Sequence, residues 1–264
     1  MDMVIADLHV HTTASDGRLT VPELPAAARA AGVEVVAVTD HDRLHPTLDA
    51  PVTTYDGVTV IRGIELQVET ATGHVDLLGY SVRETSGLRA ELDRIQTDRI
   101  DRARRMTALV EDRLDVDLDV SFEPGVGRPH IARAVDESEA DCDYAGTFDR
   151  FIGDAGPCYV SRDVPGVERG IDLLVDASAV VSLAHPFRYD DPAAALDLAA
   201  DLDAVERYYP YGRPVDETRL DEVIETNGLL TTGGSDAHDR RLGRAGLAAP
   251  EYAHIASRLP DAQG

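Results

Sequence analysis

Short apolar runs recur along this chain, and most of them lead into histidine or a carboxylate. Residues 3–5 run into Asp7-Leu8-His9-Val10-His11, with Asp16 just beyond, and residues 33–38 end in Thr39-Asp40-His41. Residues 58–61 lead to Gly63-Ile64-Glu65, and His74 opens the run 75–80. Residues 179–184 end in His185-Pro186, and Leu229-Leu230 leads into Gly234-Ser235-Asp236-Ala237-His238. Runs of this length alternating with helical patterns predict an α/β chain with a mainly parallel sheet. An open doubly wound sheet concentrates its site at one switch point. Here the motifs come from nearly every strand, and a closed barrel is the fold that brings all strand ends to one mouth.

A lone histidine after a strand is usually an ordinary surface or core residue, and only the clustering gives these weight. Six of the nine histidines (His9, His11, His41, His74, His185, His238) lie in strand-end motifs beside Asp or Glu. In His9-Val10-His11, alternate residues of an extended segment point the same way, so both rings can reach one ion. Asp236-Ala237-His238 repeats that geometry with a carboxylate replacing one imidazole. Together with Asp16, Glu65 and Asp236 the six rings are nine donors, enough for two or three divalent ions that keep open positions. Mixed imidazole and carboxylate sets accept Mn, Fe or Zn. Adjacent ions supply a nucleophile at neutral pH and clamp the oxygens of a displacement at phosphorus.

The charge balance is the second constraint. Formal net charge is −24, with 49 acidic against 25 basic residues, and every basic residue is arginine. A strongly acidic surface without lysine is expected of a protein that stays soluble in concentrated salt, where charges are screened over a few ångströms. No run is long enough to cross a membrane, and the sequence opens in a strand-like run without a signal peptide, so a cytoplasmic protein is expected. Cys142 and Cys158 are too few for a disulfide framework and read as free thiols.

Thr20 and Pro22 open a helix that ends at Gly32, which completes a strand-helix-strand unit. Glu65 and His74 fall on neighbouring runs joined across residues 70–73, which suggests a hairpin. A long charged helix with an apolar stripe then begins near Ser86. No ligand-bearing strand appears before residue 166, so residues 83–165 read as a helical insertion in a barrel made of 1–82 and 166–264.

These motifs, in this order, resemble those of the polymerase and histidinol phosphatase (PHP) family. The resemblance implies a distorted (β/α)7 barrel whose three metal ions hydrolyse phosphoesters with metal-activated hydroxide. It places His9, His11, Glu65 and Asp236 on one ion, Glu65, His74 and His185 on a second, and Asp16, His41 and His238 on a third. Asp40 is expected to support catalysis by orienting ligands. Arg128-Pro129-His130, Tyr159-Val160-Ser161-Arg162 and the segment around Arg188 are similar to segments of single-chain nucleoside 3′,5′-bisphosphate phosphatases and 5′-to-3′ exoribonucleases. Arg128 and Arg188 are therefore candidate catalytic phosphate contacts, with His130 and Arg162 as further substrate contacts. A small phosphorylated substrate, a nucleotide or short oligonucleotide end, is expected, without a stable nucleic-acid complex or a membrane. Histidinol-phosphate phosphatase and a non-catalytic metal-binding module are the alternatives.

Overall fold

The computed structural model describes residues 3–262. It divides into two compact units, Met1–Ala90 with Val164–Gly264, and Glu91–Asp163. In the first, β1 (Ala6–Val10) is buried along its whole length, as befits a parallel strand covered on both faces. Thr20 donates from both its N–H and its hydroxyl to Glu23 Oε2, at 2.9 and 2.8 Å, and fixes the turn into α1 (Leu24–Ala31). Gly32 ends that helix in the left-handed conformation, φ 72°. β2 (Val35–Val38) returns parallel to β1, with Ala6 opposite Val35. Next comes β3 (Val52–Tyr55), which pairs antiparallel with β4 (Val58–Thr70). Its centre is Thr53-Thr54, so no apolar run signals it. β4 joins β2 in parallel and forms an antiparallel hairpin with β5 (Gly73–Tyr80).

α2 (Ser86–Leu114) contains the boundary between the units. Within the second unit, α3 (Arg128–Asp136), α4 (Tyr144–Thr147) and a π turn at Phe148–Ile152 gather a small core. Met106, Val110, Ile131, Val135, Ile152 and Cys158 are buried in it. Both cysteines are free thiols.

In the first unit, α5 (Val167–Ala177) leads to β6 (Val180–Leu183), which pairs antiparallel with β5. α6 (Pro192–Leu198), β7 (Ala204–Tyr208), α7 (Thr218–Asn227) and β8 (Leu230–Gly233) continue the alternation, with β6, β7 and β8 parallel. α8 (Ala249–Ala256) follows, and its Ile255 joins a core with Leu8, Ile61, Leu78, Tyr80, Val180 and Ala204.

The strand order β1-β2-β4-β5-β6-β7-β8 curls back on itself. The segment after β8 meets β1, with Val10 bridging Ala237 in parallel and Ala6 bridging Leu247 antiparallel. Seven strands therefore ring the first unit and only β5 runs against the others, which is the distorted (β/α)7 barrel expected from the motifs. Closure needs a glycine at the seam. A Cβ on Gly234 would lie 2.3 Å from His9 N and 2.4 Å from His9 Cβ, so no side chain fits there. Because six strands of the ring share one direction, their carboxyl ends share one rim.

Candidate metal centre

Glu65 sits at the middle of that rim, 1% exposed, and its two carboxylate oxygens face four imidazoles. Oε1 lies 3.3 Å from His9 Nε2 and 2.9 Å from His185 Nε2. Oε2 lies 3.3 Å from His11 Nε2 and 2.8 Å from His41 Nδ1. Asp236 reaches in from the seam, its Oδ1 3.1 Å from His11 Nε2 and 3.3 Å from His238 Nδ1. Asp16 closes the far side, 3.3 Å from His238 Nε2 and 3.8 Å from His41 Nε2. His185 and Asp236 hold left-handed backbone conformations, φ 25° and 47°, which non-glycine residues adopt at a cost of order 1–3 kcal/mol. Strain of that kind persists where the surroundings fix a side chain for a purpose.

The donors fall into three overlapping sets: His11, Asp16, His41 and His238; His9, Glu65 and His185; His9, His11 and Asp236. Within each set the donor atoms lie within 4.8 Å of one another. Several of these atoms are buried and, among the described residues, have no hydrogen-bond partner: His9 Nε2, both nitrogens of His11, Glu65 Oε2 and Asp236 Oδ1. Buried polar atoms left in that state cost about 1–3 kcal/mol each. A cluster of them aimed at one another fits divalent cations, which would satisfy lone pairs from imidazole and carboxylate together.

Electrostatics point the same way. Burial opposes charge on these groups, yet the pairing overrides it at His9, His11, Asp16, His41, Glu65 and Asp236. Glu65 is held well below the usual carboxylate range by His41 and His9, and Asp236 by His9 and His11. The His11 ring, which burial alone would discharge, is pushed up to about 10 by the Asp236 and Glu65 carboxylates beside it. Without cations, the carboxylates would be balanced by charged rings at His9, His11 and His41, with His11 only 4.4 Å from His41. A positive ion placed among neutral rings removes that conflict.

An outer layer holds the donors in place, and much of it gives no signal in the sequence. Glu206, fully buried on β7, accepts from the His185 N–H at 2.8 Å and lies 3.0 Å from His9 Nδ1, which leaves His9 Nε2 facing the centre. Asp7 accepts from Ser235 N and Gly243 N, both at 2.8 Å, and so ties the seam. Tyr209 donates to Asp236 Oδ2 at 2.8 Å. Arg188 Nη1 donates to the same oxygen and to the Tyr209 hydroxyl, each at 2.9 Å. Asp76 on β5 lies 3.9 Å from His185 Nε2. Glu206 is an acid ending the short run Ala204-Val205, and no histidine accompanies it in the sequence.

His74, expected as a ligand, stands apart. His74 is exposed and pairs with Glu69, four residues along β4 from Glu65, roughly 13 Å at the rise of a strand. β4 runs past the rim before it turns, so His74 is carried away from the centre, and His9 stands with Glu65 and His185 instead. Asp40 is fully buried and faces the loop that carries Asp16. Its oxygens accept from Thr12 N, Thr12 Oγ1 and Ser15 Oγ at 2.8, 2.7 and 2.6 Å, which anchors the loop that carries Asp16. Arg128, His130 and Arg162 belong to the second unit. There Arg128 Nη1 donates to Asp154 Oδ1 at 2.6 Å, and His130 Nδ1 accepts from Gly127 N at 3.2 Å, capping α3.

Comparison with known proteins agrees with this geometry. The PHP domain model matches residues 7–118. The chain is 30% identical over 255 residues to the 3′,5′-nucleoside bisphosphate phosphatase of Chromobacterium violaceum, covering 89% of this chain and 88% of that one. It is 28% identical over 253 residues to the 5′-3′ exoribonuclease Rnm of Escherichia coli, covering 89% and 85%. A solved structure from Bifidobacterium adolescentis superposes with a TM-score of 0.79 at 24% identity, covers 99% of both chains and shares the fold. The chain belongs to the PHP family of phosphoesterases.

Proposed function

We propose that this phosphoesterase removes or releases a phosphate ester from a nucleotide or a short oligonucleotide end, using two or three divalent ions of the Mn, Fe or Zn type. The observation that carries the reading is Glu65, whose two oxygens each face two imidazoles, the environment of a carboxylate that bridges ions. Glu65 and His185 would hold one ion, His9, His11 and Asp236 a second, and Asp16, His41 and His238 a third, each ring serving a single ion. Ions held there would make water acidic enough to act near neutral pH and would offset the charge of phosphoryl oxygens.

The chain's own residues supply the rest. Arg188, half-exposed and anchored through Nη1, offers its remaining donors to a phosphoryl oxygen at the rim. Tyr209 holds both Arg188 and Asp236, so the phosphate contact and the ligand are fixed together. Glu206 sets which nitrogen of His9 faces inward. Nucleotide substrates are favoured because the two relatives act, by their names, on a nucleoside bisphosphate and on RNA. Within the second unit, Arg128, His130 and Arg162 remain candidate phosphate contacts. Among the described residues no helix is long and apolar enough to cross a membrane.

The test is phosphate release in molar KCl with added Mn²⁺, from adenosine 3′,5′-bisphosphate, a 5′-phosphorylated RNA oligomer and histidinol phosphate. Turnover of either nucleotide, lost in Asp236→Ala, is the expected result. Turnover of histidinol phosphate alone would overturn the nucleotide reading. Metal binding without turnover of any phosphoester would replace the enzyme with a binding module.

A further inference from the structure

Two loops of the first unit meet beside the metal centre. One is the turn Pro186–Arg188 after β6, and the other covers residues 209–217 between β7 and α7. The register of β7 against β8 slips between Glu206 and Tyr208. A bulge of that kind re-aims side chains at a barrel rim. Just beyond it the Tyr209 ring stands 5.3 Å from that of His185, with its hydroxyl on Asp236. The Tyr211 ring lies 4.7 Å from Tyr209 and 5.5 Å from Phe187, and its hydroxyl accepts from Phe187 N at 3.3 Å. Gly212 takes a left-handed φ of 67°, and Arg213 Nη2 then donates to Phe187 O at 2.8 Å.

The second loop therefore grips both backbone groups of Phe187, and the next residue is Arg188, whose Nη1 rests on Tyr209 and Asp236. Consecutive Cα atoms are about 3.8 Å apart, so the two guanidiniums are anchored at neighbouring points of one turn. Arg213 is exposed and, among the described residues, makes no ion pair, although Asp190, Asp191, Asp216 and Glu217 flank the two loops. Three of those acids are committed elsewhere. Asp191 accepts from Ala194 N, Asp216 accepts from Thr218 N, and Glu217 pairs with Arg207. A carbonyl anchor fixes a guanidinium while leaving its charge uncompensated. That suits an anion which arrives with the substrate, and the planar fork of arginine matches the oxygens of a phosphate.

We propose that Arg213, held by Phe187 and Tyr211, binds a second phosphate of the substrate while Arg188 binds the one at the metal centre. The site then selects substrates that carry two phosphates close together over simple monoesters. The second phosphate is a terminal monoester or the link to a next nucleotide, and both present the same anion to the guanidinium. The inference rests on the phosphoesterase reading and deepens it by naming a specificity residue, but the contact itself needs no turnover.

The experiment titrates the Mn²⁺-loaded full chain, at one fixed KCl concentration, with adenosine analogues whose phosphorus is attached through carbon and resists hydrolysis. The probes are the 3′,5′-bisphosphonate, the 5′-phosphonate, and a dinucleotide with both of its phosphates so attached. The parent should bind the bisphosphonate or the dinucleotide about tenfold or more tighter than the 5′-phosphonate. Arg213→Gln should lose that margin, and Arg213→Lys, which keeps the charge without the fork, should keep part of it. If Arg213 only braced the turn, its loss would weaken all three probes alike and leave the margin as it was. A margin for the bisphosphonate identifies a terminal phosphate as the second anion, and a margin for the dinucleotide identifies the internucleotide link. No margin in the parent, or a margin that survives in Arg213→Gln, would overturn the second contact. Natural nucleotides left uncleaved while the margin holds would refute the nucleotide phosphoesterase reading and leave the contact standing.

Discussion

Glu206→Gln perturbs the metal centre without touching any of its donors. The carboxylate is fully buried and satisfies two groups at once, the His9 ring at 3.0 Å and the His185 N–H at 2.8 Å. Glutamine keeps the shape but has one acceptor oxygen, and its amide N–H₂ must face whichever donor loses. One outcome leaves the His185 N–H unpaired and shifts the turn that carries its ring. The other forces the proton of His9 onto Nε2, the nitrogen that faces Glu65. A hydrogen bond to a charged partner contributes about 1.5–3 kcal/mol, and loss of an orienting contact typically costs a metal ligand about 10–100-fold in affinity. His9 belongs to two donor sets and His185 to one, whereas the set of His11, Asp16, His41 and His238 contains neither. The loss should therefore be uneven. Metal content after dialysis against graded chelator should show weakly held ions in the variant, with one class retained as in the parent. Equal affinity for all ions in the two proteins, within about twofold, would refute the orienting role. Uniform loss of every ion would show that Glu206 supports the whole rim and not two particular rings.

Other expectations follow from the same geometry. The pKa of His11 is raised in the folded state to about 10, so its pairing stabilises the metal-free protein fully below the unfolded value near 6.5 and fades as pH rises towards 10. The Tm of metal-free protein should therefore fall between pH 7 and 10, and a Tm that holds or rises across that range would contradict the pairing. For the same reason metal uptake at pH 7 should release protons, measured as a binding heat that varies with the ionisation enthalpy of the buffer. Gly234→Ala drives a methyl into the backbone of His9 and should cost more than about 3 kcal/mol, read by urea unfolding. Acids outnumber arginines about two to one in a chain of net charge −24, so Tm should climb with molar KCl, and a flat profile would count against adaptation to salt.

Most of the rim is legible in the sequence because a barrel strand that ends at its mouth places its last residues there. His9, His11, His41, His185, Asp236 and His238 follow that rule, and Glu65 lies where the longer β4 crosses the same rim. His74 breaks it for a reason the sequence hides. β4 has 13 residues, so its hairpin turn lies beyond the rim and the next strand starts too far out. Glu206 is hidden differently, because nothing in Ala204-Val205-Glu206 distinguishes an orienting acid from an ordinary strand residue. Asp40 is the converse case. Its motif sets it beside His41, but only the folded loop shows that Thr12 and Ser15 already occupy its oxygens. The long α2 could be read from its apolar stripe, whereas α4 and the π turn are too short to leave one.

The seam explains why the ions and the fold depend on each other. His9 and His11 come from the first strand, Asp236 and His238 from the segment after the last, and only closure of the ring brings them together. That closure rests on few contacts: the Val10–Ala237 and Ala6–Leu247 bridges, the grip of Asp7 on Ser235 and Gly243, and the fit of Gly234 against His9. Across the same seam lie buried carboxylates that need positive charge nearby. An ion shared by His9, His11 and Asp236 would join the two ends directly, where the backbone pairing consists of isolated bridges. Its binding energy would then count towards closing the barrel as well as towards chemistry. Chelation should therefore loosen amide protons at residues 6–11 and 234–247 before those of β4 and β5, whose hairpin is held by its own long register.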